Sequence, residues 1–149
     1  MLYVVPVTVP PNTPKAAPVE HEVTVDEDVL VLVSVRFPPG PCGLTYVSLW
    51  YGVHQIFPSW RYDWVHDDNT VVWDLVMFKC PTKPCTFRIK AYNLDTQYEH
   101  TVIVYLLALD ENYVALIGRQ KLILRLVRSM WTSMLEKLGL RRLGWFQRV

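Results

Sequence analysis

Residues 85–92, CTFRIKAY, carry the most regular alternation in the chain, with Phe87, Ile89 and Ala91 on one face and Arg88 and Lys90 on the other. Successive side chains of a strand point to opposite faces, so a period of two with one apolar and one charged set marks a half-buried antiparallel strand. Reading outward from it, 71–78 sets Val71, Trp73, Leu75 and Met77 against Val72, Asp74, Val76 and Phe78. Residues 100–109, HTVIVYLLAL, form a long strand candidate on the other side. Residues 29–37, VLVLVSVRF, are rich in β-branched side chains and too short for a typical helix. They place Val29, Val31, Val33, Val35 and Phe37 opposite Leu30, Leu32, Ser34 and Arg36, and the run stops at Pro38-Pro39-Gly40-Pro41, which cannot continue a ladder.

The same reading predicts strands from Val19 and over 44–57, the latter bent at Gly52 with a bulge that re-aims His54, and a short last strand over 113–117. Pro- or Asp-rich turns separate these runs, and no strand–helix alternation precedes residue 118. That excludes a doubly wound sheet and leaves a mainly β protein: an antiparallel sandwich of Ig-like or jelly-roll type with one C-terminal amphipathic helix. The expected organisation is an N-terminal strand or arm with a Pro-rich linker over 1–18, a sandwich over 19–117, and a helix with a basic tail over 118–149. The stretch before Pro6 has no preceding basic residue and does not read as a signal peptide.

Composition agrees with a folded domain: of 149 residues, 51% are hydrophobic and 19% charged. No segment approaches eighteen uncharged apolar residues, the length a membrane-spanning helix needs. The formal charge of +1 conceals a division, since residues 1–111 sum to −6 and residues 112–149 to +7. Near the C-terminus, Leu122, Ile123, Leu126, Val127, Met130, Trp131 and Met134 recur at three and four residues, the period of an amphipathic helix over about 119–138. Arg125 and Arg128 share the opposite face, and Trp145 and Phe146 lie in the basic tail. This set is the candidate protein-interaction surface, packing either on its own domain or on a neighbouring subunit. A basic face opposite a Trp/Met/Leu face also suits a membrane surface or nucleic-acid phosphates, although no recognised nucleic-acid motif is present.

Candidate chemistry concentrates in 59–70, SWRYDWVHDDNT. Trp60, Tyr62 and Trp64 suit a platform for carbohydrate rings, the rival reading of the chain as a carbohydrate-binding module. Asp63, His66, Asp67 and Asp68 offer a formal acid–base set, or oxygen ligands with Asn69, but the twelve-residue calcium-loop pattern is absent. Gly-rich phosphate loops and the nucleophile-elbow and zinc-protease motifs are also absent, so no catalytic residue, metal or cofactor is assigned. Cys80 and Cys85 form a C-x4-C pair that a hairpin loop permits to bond, while a reducing compartment keeps Cys42, Cys80 and Cys85 as thiols.

The runs YGVHQIFPS, DDNTVVWDL and AYNLDTQYEHTVIVYLLAL, within residues 40–109, resemble small β-sandwich virion proteins of tailed phages: decoration, adaptor or tail-associated subunits. The resemblance implies a non-enzymatic structural role in a virion assembled in the host cytoplasm. It also implies symmetric oligomers, with a major capsid or tail protein as partner. The long C-terminal helix departs from the simplest such modules.

Overall fold

The computed structural model describes residues 1–60 and 63–118. The chain divides into two units, Met1–Glu111 and Asn112–Val149. Among the described residues the first unit holds nine strands: β1 Leu2–Val9, β2 Val19–Val25, β3 Val29–Phe37, β4 Thr45–Tyr51, β5 His54–Phe57, β6 Val65–His66, β7 Thr70–Lys79, β8 Cys85–Asn93 and β9 His100–Leu109. They form two antiparallel sheets, a first of order β1-β9-β3-β7 and a second of order β2-β8-β4-β5 with β6 also on β4. The predicted mainly β sandwich is therefore the fold.

The core fills the space between the two sheets. From the first come Val7, Val9, Leu30, Val33, Val35, Phe37, Val104 and Leu106; from the second come Val25, Val47, Leu49, Phe57, Phe87 and Ile89, all essentially inaccessible. The β8 alternation holds as read, with Phe87, Ile89 and Ala91 inward and Arg88 and Lys90 on the outer side. Phe78 of β7 meets Phe87 edge-on, with ring centroids 5.7 Å apart, and Tyr51 meets both rings. These contacts join the sheets at one end.

Several expectations change. Of the two expectations for the N-terminus, strand or arm, residues 2–9 form the strand: β1 pairs with β9 along its full length, and Val7 and Val9 are core residues. The sandwich thus begins at residue 2 rather than 19. The Pro-rich linker is also held, because the Asn12 amide donates to Asp95 O and the Asn93 amide to Thr13 O. Residues 44–57 are two strands rather than one bent strand. Tyr51 pairs with His54 across the two-residue turn Gly52-Val53, where Gly52 adopts φ +56, a region open to glycine. In β3, a register shift between Leu30 and Leu32 inserts Val31 as an extra residue against β9. Leu30 consequently turns inward with Val33 and Val35, while Leu32 stays on the outer face.

Residues 113–117 are helical rather than a strand, within a helix over 111–118. Asp110 precedes it at a capping position, and the first amide, that of Glu111, donates to the Asp28 carboxylate at 3.0 Å. Tyr113, Leu116 and Ile117 then recur at helical rather than strand spacing. The expected helix, 119–138, and the tail lie outside the described residues.

Two measurements check this packing. Removing residues 1–9 should abolish cooperative urea unfolding, since it strips the β9 edge and two core valines. Leu106→Ala should lower the unfolding free energy by about 3 kcal/mol through the cavity it leaves.

Candidate interaction surfaces

The outer face of the second sheet is polar and aromatic. Register aligns Tyr46 with Tyr92, Ser48 with Lys90 and Glu20, and Trp50 with Arg88 and Glu22. The Tyr46 and Tyr92 rings stack 4.4 Å apart and nearly parallel, with His66 against Tyr46 and Trp64 edge-on to Tyr92. Lys90 Nζ lies 2.8 Å from Glu20 and 5.4 Å from the centre of the Trp50 ring, whose Nε1 donates to Ser48 Oγ. The Lys90 ammonium holds the Glu20 carboxyl below its ordinary range. This face has charges of both signs already matched to one another.

The two described residues of the proposed glycan set differ in exposure. Trp60 is 74% exposed, whereas Trp64 is half-buried with its ring engaged by Tyr92. The loop is tied to β5 by Gln55 Nε2, which donates to the carbonyls of Pro58, Trp60 and Asp63. Tyr62 lies outside the described residues. The acidic side chains nearby serve the backbone: Asp63 accepts from the Trp64 amide, Asp67 from Asp68, and Asp68 from Gly40 and Cys42. Asp68 thereby fastens the turn after β3. No cluster of three metal-ligating side chains occurs among the described residues.

A second polar centre lies where the linker crosses the β8–β9 loop. Asn93, buried, donates through Nδ2 to Val9 O and Tyr98 O and accepts from the Asp95 amide. Asp95 accepts from the amides of Gln97 and Tyr98 through Oδ1, and its Oδ2 lies 2.8 Å from His100 Nε2. The Gln97 amide first, then the His100 ring, hold the Asp95 carboxyl below its usual range. These bonds satisfy groups within the fold.

The outer face of the first sheet is different. Cross-strand register builds three rows across it: Val71–Arg36–Ile103–Pro6, Trp73–Ser34–Tyr105–Val4 and Leu75–Leu32–Leu107–Leu2. Arg36 is the only charged side chain in these rows. Trp73 is 62% exposed and Leu75 58%, with Val71, Met77, Leu2 and Val4 also more than half exposed. A surface of this kind, apolar across four strands, is unlike the scattered single apolar residues of ordinary surfaces. Sequence reading paired Val71, Trp73, Leu75 and Met77 on one face of β7 but had no means of assigning that face to the outside.

The interaction residues proposed on the C-terminal helix and tail (Leu122, Ile123, Leu126, Val127, Met130, Trp131, Met134, Trp145, Phe146, Arg125 and Arg128) lie outside the described residues. No helix among the described residues is long and apolar enough to cross a membrane. All three cysteines are free; Cys42 is exposed, while Cys80 and Cys85 are buried. Burial, then the hydrogen bond with Cys80, pushes the Cys85 thiol up to about 12. Comparison of the chain with models of protein families, with curated proteins and with solved structures gives no match.

Three outcomes follow. Asn93→Ala should cost about 1–3 kcal/mol, because it strands buried carbonyls, and thermal unfolding measures it. Asp95 has a lower pKa folded than unfolded, so its contribution is complete above the unfolded value of about 4 and fades as the pH falls below it. Asp95→Asn should therefore flatten the acid limb of the stability–pH curve. A maleimide reagent at neutral pH should label Cys42 readily and reach Cys80 and Cys85 only on unfolding.

Proposed function

We propose that this protein is a non-enzymatic structural subunit of a large assembly, a tailed-phage virion component in the capsid or tail, and that it attaches through the outer face of its first sheet. The observation that carries this reading is the exposure of Trp73, Leu75, Val71, Leu2 and Val4 on one continuous apolar surface. Leaving so much large apolar area in water opposes solubility, and covering it by a partner recovers about 25 cal/mol per Å². The edges of the same sheet support attachment through the face rather than by strand addition. Pro6 occupies the β1 edge, Asp74 of β7 pairs with core-facing Val33, and Met77 adopts φ +46 where the β7 register shifts. Proline, an inward charge and a bulge are devices that discourage strand addition at an edge.

The hydrogen-bonding side chains add support. Asp63, Asp68, Asn93 and Asp95 bond to backbone groups of the fold, which suits a scaffold whose surface binds. Mass spectrometry of purified particles from cells that make this chain tests the assignment. The expected result is the chain in fixed ratio to a shell or tail protein. Its recovery only in the free soluble fraction would count decisively against the assignment.

A further inference from the structure

We infer that the occupant of this apolar face is the same face of a second copy of the chain, packed sheet on sheet about a two-fold axis; the inference rests on reading the face as the attachment surface. Three observations select a second copy. The first is extent. The three rows set twelve side chains on four strands about 4.8 Å apart and about 6.6 Å apart along each strand, a footprint of about 380 Å². Two such faces therefore contribute about 760 Å² of footprint, which side-chain relief enlarges toward the roughly 1,000 Å² that a specific interface must clear.

The second observation is charge. A surface meeting its own image must tolerate every like-charge pair it creates, and the three rows carry a single charge, Arg36, in an outermost row. A two-fold axis across the strands sets the Leu75 row of one copy against the Arg36 row of the other. The two guanidiniums then lie at opposite ends of the contact, where each reaches water along its own apolar stem.

The third observation is geometry. Because Pro6, Asp74 and the Met77 bulge discourage strand addition at either edge, the contact that remains for a twisted sheet is face to face, the packing used inside sandwiches.

Sedimentation of the full chain over a concentration series tests this, with oxidative footprinting of Trp73 and Met77 on the same samples. The expected result is a monomer–dimer equilibrium that high salt leaves intact, with both side chains protected in the dimer. Leu75→Lys and Trp73→Ser should each weaken dimerisation at least tenfold while keeping the circular dichroism of the parent. Val53→Lys, in a turn where the side chain is 84% exposed, should leave it unchanged.

A chain that stays monomeric, with Trp73 and Met77 freely oxidised, overturns the inference but leaves the particle assignment to its own test. Protection in a monomer places another part of the chain on the face and also overturns it. So do a dimer indifferent to both face variants, and one that dissociates as salt is raised, which would mark a charged contact.

Discussion

Strand β9 has two apolar faces, and most of the architecture depends on that one constraint. Its inward set, Val102, Val104, Leu106 and Ala108, is fully buried and meets the second sheet. Its outward set, Ile103, Tyr105 and Leu107, lies at the middle of the opposite surface, between β1 and β3. A central strand of this composition gains from burial on both sides, yet a two-sheet body covers only one. The core and the proposed attachment surface are therefore consequences of the same ten residues.

The second sheet resolves its outer face differently. Glu20, Arg88, Lys90 and Trp50 match charge with charge and ammonium with ring along the pleat. Such exposed pairs add little stability but keep that face hydrated and discourage association. The sandwich is consequently two-sided: one sheet presents a self-satisfied polar surface and the other a surface that water serves poorly.

The sequence made the strands legible wherever the two faces differ in chemistry. In β8, arginine and lysine alternate with phenylalanine, isoleucine and alanine, and the inward set follows directly. Where both faces are apolar the pattern is silent, so neither the outward direction of Trp73 and Leu75 nor the bulge at Val31, which turns Leu30 inward, could be read. Residues 113–117 misled because a short apolar run fits either period, and the carboxylate that receives the first helical amide, Asp28, is distant in sequence. The N-terminal strand was ambiguous because Pro6, unsuited to a central strand, is tolerated at an edge. The aromatic loop showed its composition but not that Trp64 is committed to Tyr92.

Pairing of Leu2 with Leu107 brings the start of β1 beside the end of β9. Tension applied between residue 2 and residue 110 would therefore peel the β1–β9 ladder one hydrogen-bonded pair at a time, rather than shear all its bonds together. A body loaded in this direction yields at low force, beginning with Leu2, long before the Phe78–Phe87 contact is strained. In any assembly that experiences internal pressure or contraction, the load on such a body is better borne across its sheet face than along its chain.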